Sequence, residues 1–118
     1  MLGLNRSKRS KHWLLAAALL ALAGEASAAS EEADLLVAAK LHRAGETGAA
    51  VAIWSRWASQ GSVDAAYNLA VVHQYGDGVP QDSSLALKWY RYAAERNDRP
   101  AQFQLGLMYQ TGEGVAVD

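Results

Sequence analysis

The sequence predicts an all-α fold, a solenoid of stacked antiparallel helix pairs, and two observations carry that prediction. Residues 65–82, AAYNLAVVHQYGDGVPQD, return as residues 101–118, AQFQLGLMYQTGEGVAVD, at a constant offset of 36 (101 − 65 = 36). Ala65, Leu69, Gly76, Gly78, Val79 and Asp82 recur as Ala101, Leu105, Gly112, Gly114, Val115 and Asp118, while Tyr67 becomes Phe103 and Asp77 becomes Glu113. A stack of like supersecondary units requires such a fixed spacing, because each unit buries its apolar face on its neighbour. The second observation is a helical stripe that repeats at the same offset. Ala50, Ile53, Trp54, Trp57 and Ala58 fall at i, i+3, i+4, i+7 and i+8, one face of a helix. Shifted by 36 they become Ala86, Trp89, Tyr90, Ala93 and Ala94. Repeat stacks offer surfaces rather than enclosed pockets, so the architecture points to binding rather than to catalysis.

The elements follow in order. Residues 1–28 read as a secretory signal peptide. Arg6, Lys8, Arg9 and Lys11 precede the uncharged run Trp13 to Ala23, and small residues Ala26, Ser27 and Ala28 close the segment. The run is short of the roughly 20 residues that span a bilayer, so cleavage after Ala28 is expected. Any membrane contact would run through an uncleaved signal segment. Residues 29–32 form a short polar lead. Helices are expected over 33–44, ending at Gly45, and over 49–60. These make a degenerate N-terminal pair, 33–61, of the kind that caps a repeat array. A full repeat, 62–97, holds helices over 63–75, capped by Ser62, and over 83–96, capped by Asp82. Residues 98–118 are the first half of a second repeat. Its helix, over 99–110, has Asp98 as N-cap and Pro100 in the first turn, where a missing N–H costs nothing.

The loop after each first helix accounts for its own residues. Gly76 suits the left-handed position that ends a helix. Gly78 permits a second sharp turn, Val79 folds back onto apolar surface, and Pro80 forbids continuation. Mid-helix Gly106 stands where the preceding repeat has Ala70, which implies a close helix crossing at that position. In the degenerate pair, His42 and Gly45 align with His73 and Gly76 at an offset of 31.

Charge and cysteine content exclude several classes. Without residues 1–28 the chain keeps seven of its Lys and Arg and eleven of its Asp and Glu, a net charge of 7 − 11 = −4. That argues against a nucleic-acid partner and against anionic membrane surfaces. The chain has no Cys. Disulfide staples and a cysteine-linked lipid are thereby excluded. A zinc site lacks ligands, since only His42 and His73 remain beyond the signal. No cofactor is expected. No serine stands in a nucleophile-elbow context, and Ser62 and Ser83 are accounted for at helix ends. No catalytic residue is assigned. Trp54, Trp89 and Tyr90 read as core, and Tyr92 lies off the apolar stripe.

The spaced residues resemble the Sel1-like repeat family, relatives of the tetratricopeptide repeats. The pattern runs through Ala65, Leu69, Ala70, His73, Gly76, Gly78, Val79, Asp82, Ala86, Trp89, Tyr90, Ala93 and Ala94. It restarts at Ala101, Leu105, Gly106, Tyr109, Gly112, Gly114, Val115 and Asp118. Ala70 and His73 depart from the family's Gly and Tyr. The resemblance implies a right-handed α-α superhelix and adaptor work, in which a protein or peptide is bound on a concave surface. First-helix positions facing away from the second helices line that surface in the related repeats: here Asn68, Val71, Gln74, Gln104 and Leu107. With the signal segment, the expectation is a bacterial adaptor or regulator in the periplasm or secreted. An enzyme or ligand-binder acting on cell-wall glycopeptide or β-lactams is the alternative, motivated by cysteine-rich members of the family whose cysteines this chain lacks. The array also reads as incomplete at its C-terminus. The helix over 99–110 is expected to leave Leu105 and Met108 uncovered, which implies either a fragment of a longer array or self-association through that helix.

Overall fold

The computed structural model describes residues 30–115. By its internal contacts the chain divides into two units, 1–33 and 34–118. Of the first, residues 30–33 are described, and they are helical. The signal segment expected over 1–28 lies outside the described residues.

The described residues form helices joined by turns, with no strand among them. Helix α1 covers 30–43 and absorbs residues 30–32 of the expected polar lead, since Glu31 and Glu32 are good helix formers. Helix α2 is Thr47–Ser59, α3 Val63–Tyr75, α4 Ser83–Ala94 and α5 Arg99–Thr111. Three of the four N-termini after α1 are closed by the side chains that the sequence nominates. Ser62 Oγ accepts from Ala65 N–H at 3.2 Å, Asp82 Oδ1 from Leu85 N–H at 3.0 Å and Asp98 Oδ2 from Ala101 N–H at 3.0 Å. Helix α2 begins two residues earlier than the stripe suggests, with Thr47 buried in its first turn. Helix α4 stops at Ala94 rather than Arg96, because Asn97 takes a left-handed φ of 68° and Asp98 N–H turns back to Ala93 O at 3.1 Å.

Within the second unit, α2 packs on α3, α3 on α4 and α4 on α5. Two apolar clusters result. One joins Ala38, Ala50, Trp54, Trp57, Ala58, Ala65, Ala66, Leu69 and Val72. The other joins Ala70, Ala86, Leu87, Tyr90, Ala93, Ala94, Ala101 and Met108. Alanine dominates both, which lets the helices approach closely, and Trp54 and Trp57 in the first and Tyr90 in the second fill the remaining volume. Helix α1 is tied to α2 by Asp34, whose Oδ2 accepts from Trp57 Nε1 at 2.9 Å and pairs with Arg56. Trp89 and Tyr92 fill the margin rather than the centre. Both are half-buried, and their rings meet edge to face at 5.9 Å.

Helix α5 corrects one expectation. Met108 is fully buried and Leu105 packs against the second cluster, so α4 already covers them. Ala101, Leu105 and Met108 lie at i, i+4 and i+7 and form the face toward α4. The exposed large apolar side chains of α5 are Phe103, at 65 %, Tyr109, at 47 %, and Leu107, at 39 %.

Candidate functional site

The five positions nominated for partner binding divide in the structure. Asn68 and Gln104 are half-buried and Leu107 is exposed. Val71 is half-buried against the second cluster, and part of its side chain is spent on packing. Gln74 is withdrawn altogether. It is 6 % exposed, and its Oε1 accepts from the Tyr90 hydroxyl at 2.7 Å. A glutamine at that site serves the interior because Tyr90, fully buried, needs an acceptor for its O–H.

Gln74 belongs to a bracket between successive units. Its Nε2 donates to Glu113 Oε2 at 3.5 Å, and Ser83 Oγ donates to Glu113 Oε1 at 3.3 Å. One unit earlier a related bracket is built from other residues, with His42 rather than the carboxylate at its centre. Asp77 Oδ2 lies 3.2 Å from His42 Nε2, and His42 Nδ1 is hydrogen-bonded to Thr47 Oγ1 at 2.9 Å. The His42 ring lies 5.8 Å from that of Trp54. Trp54, Thr47 and Asp77 correspond to Tyr90, Ser83 and Glu113 at the offset of 36, so His42 occupies the place of Gln74, not of His73. The first loop is shorter, and the sequence alignment of the two histidines is off by one position. In both units the loop carboxylate reaches back to the preceding pair. The glycine beside it must be bare. A Cβ on Gly78 would overlap the Thr47 side chain, and one on Gly114 would overlap the Ser83 carbonyl.

The hydroxyl, imidazole and carboxylate of Thr47, His42 and Asp77 invite comparison with a nucleophile, its base and an orienting acid. Thr47 is 3 % exposed and walled by Gly78, so no substrate carbonyl reaches its oxygen. The group is a brace between loops. Among the described residues no three His, Asp or Glu side chains converge as metal ligands. Burial pushes the Tyr90 phenol well above its ordinary range, and the neighbouring Tyr67, Tyr75 and Glu113 add to the shift. Tyr90 therefore stays a neutral donor to Gln74 throughout the physiological range.

The sequence reading missed three aromatics. Tyr75, Phe103 and Tyr109 are exposed. Tyr109 stacks with the Arg91 guanidinium, 5.8 Å from its ring centroid, and its hydroxyl accepts from Arg91. The counterpart of Phe103, Tyr67, meets the Tyr90 ring edge to face at 5.7 Å, and among the described residues no helix follows α5 to offer Phe103 such a ring.

Stacked helix pairs with glycine loops reaching back to the preceding pair define a repeat protein of the α-α solenoid class. The Sel1 repeat family matches residues 63–98 and 99–118. This chain belongs to the Sel1-like repeat proteins. It is 34 % identical over 109 residues to protein sel-1 homolog 2 of Mus musculus, covering 89 % of this chain and 16 % of that protein. It is 35 % identical over 66 residues to the ERAD-associated E3 ubiquitin-protein ligase component HRD3B of Arabidopsis thaliana, covering 56 % of this chain and 11 % of that protein. The chain thus spans a small part of the length of either relative. Among solved structures, a Sel1 repeat protein from Oxalobacter formigenes matches with a TM-score of 0.64 and 29 % identity, over 71 % of this chain and 36 % of that one. A protective antigen of uropathogenic Escherichia coli strains with an SLR fold matches with a TM-score of 0.69 and 36 % identity, over 80 % and 21 %.

Proposed function

We propose that the chain is an exported adaptor that holds a protein or peptide on the surface of its first-of-pair helices α3 and α5. The observation that carries this reading is the surface left on α3 and α5. First and second helices both feed the apolar clusters, and Asn68, Gln104 and Leu107 keep accessible surface on the first helices beside them. A rigidly braced helix array with polar and apolar groups on one set of helices suits recognition of another chain. The plant relative is by name a component of a ubiquitin-protein ligase, and a component's role in an assembly, without chemistry of its own, is what this surface fits. Export rests on the basic start, short apolar run and small residues of 1–28. It places the adaptor in the periplasm or outside the cell.

The test uses the full chain as bait for photo-crosslinking in its native host. Probes replace Asn68 and Gln104, and a matched probe replaces the exposed Lys88 on α4. A single partner species cross-linked at Asn68 and Gln104 but not at Lys88 is the expected result. Equal labelling at all three positions, or none above background, would overturn the surface assignment. N-terminal sequencing of the exported protein is expected to begin at Ala29; a retained Met1 would refute cleavage.

A further inference from the structure

We propose that Asp77 is a site of spontaneous isoaspartate formation through the Gly78 nitrogen, that its contact with His42 holds this reaction back, and that conversion breaks the bracket between them.

The sequence singles the position out. Asp77–Gly78 is the one place in the chain where Asp or Asn precedes glycine. The amide nitrogen that follows an Asp can attack the side-chain carboxyl carbon and close a five-membered imide. A side chain on the following residue crowds that attack, and glycine has none. Residue 78 has to be glycine, because a Cβ there would overlap the Thr47 side chain. In the next unit Glu113 precedes Gly114. Its longer side chain would have to close a six-membered ring, a much slower reaction. At the reacting position the two loops therefore differ by one methylene, and only the first carries this chemistry.

The structure leaves the reacting groups accessible. The Asp77 side chain is 66 % exposed, and Gly78 is exposed beside it. The Gly78 N–H makes no hydrogen bond among the described residues. The carboxylate is restrained by His42, whose Nε2 lies 3.2 Å from Oδ2. That contact turns the carboxylate toward α1 and away from its own chain. A contact this exposed contributes little. It therefore opens repeatedly, and each opening lets the carboxyl fold back on the Gly78 nitrogen.

The step needs no reagent but water. The Gly78 nitrogen bonds to Asp77 Cγ and gives up its proton. The carboxyl group, protonated from solvent, gives up its hydroxyl, and one water leaves. Water then adds to either carbonyl of the imide. Addition at the side-chain carbonyl restores Asp77. Addition at the main-chain carbonyl leaves the chain running through Cγ, with one more methylene in the backbone and the carboxylate attached directly to Cα. The carboxylate then falls short of His42, and the turn at Gly78 is lengthened.

The test ages the full chain, its His42→Phe and Asp77→Glu variants and a free peptide of residues 72–82 side by side in warm neutral buffer. Isoaspartate is read by methyl transfer from an isoaspartyl methyltransferase and located by electron-transfer fragmentation in a mass spectrometer. His42→Phe keeps a ring against Trp54 and removes the donor, and circular dichroism checks its folding. Isoaspartate is expected at residue 77 of the full chain, about threefold or more slower than in the peptide and about threefold faster in His42→Phe than in the parent. None is expected at residue 77 of Asp77→Glu. Converted protein, separated by ion exchange, should show the His42 imidazole NMR shifts of an Asp77→Ala variant. No isoaspartate at residue 77 by the time the peptide is fully converted would overturn the proposal. So would conversion as fast as the peptide's, equal rates in the parent and His42→Phe, equal conversion at Asp34, Asp64 and Asp82, or imidazole shifts that conversion leaves unchanged. The comparison with the peptide and the imidazole shifts decide the matter even if His42→Phe fails to fold.

Discussion

Replacing Tyr90 by Phe removes one oxygen and nothing else, yet it strikes the junction of three helical segments. The ring keeps its packing with Tyr67, while Gln74 Oε1, at a residue 6 % exposed, loses its donor. A net hydrogen bond contributes about 0.5–1.5 kcal/mol, and a buried acceptor left unpaired costs about 1–3 kcal/mol. A loss of about 1.5 kcal/mol is therefore expected. For a domain of this size that is a fall in Tm of about 6–12 °C. The decisive measurement is a double-mutant cycle by urea unfolding. Gln74→Leu in the Tyr90→Phe background removes the orphaned amide, so the double variant should lose less than the sum of the singles by about 1 kcal/mol. Additivity within about 0.5 kcal/mol would refute the coupling, because only independent sites add so closely.

The same hydroxyl predicts an alkaline effect. Folding raises the Tyr90 pKa above its ordinary 10.0, burial first and the nearby Tyr67, Tyr75 and Glu113 after it. Its contribution is whole below pH 10.0 and declines as pH rises past that value, since the unfolded chain then sheds a proton that the folded chain retains. The stability gap between the parent and Tyr90→Phe should narrow by up to about 1.4 kcal/mol per pH unit in urea titrations above that point. Ser62→Ala removes the cap on Ala65 N–H and should cost about 1 kcal/mol by thermal unfolding. Gly78→Ala, at φ 77° and against Thr47, should cost at least about 1–2 kcal/mol, with the loss of the His42–Asp77 contact visible in the imidazole NMR shifts. Gly106→Ala should instead stabilise the free chain, by up to about 1 kcal/mol, since the added methyl meets nothing.

Much of the fold was legible because the chain states it twice. A 36-residue period, three capping side chains and an alanine–aromatic stripe are local features, and each repeat contacts chiefly its neighbours, so local pattern and tertiary contact coincide. The starts of α3, α4 and α5 followed from Ser62, Asp82 and Asp98 alone. The site was less legible. Asn68 and Gln74 look alike as polar residues on one helix, and only the position of the Tyr90 hydroxyl separates an accessible amide from a buried one.

From the sequence alone came the repeat, its helix pairs, the glycine turns and the family to which they belong, all consequences of periodicity and of backbone chemistry at single positions. Only the packed molecule showed that His42 stands in for Gln74, that Asp77 and Glu113 reach back one unit, and that α4 covers Met108 but leaves Phe103 bare. The reason is geometric. Which side of a helix meets its neighbour, and which carboxylate meets which donor, depends on loop length and crossing angle, and no spacing within a single strip of sequence encodes either.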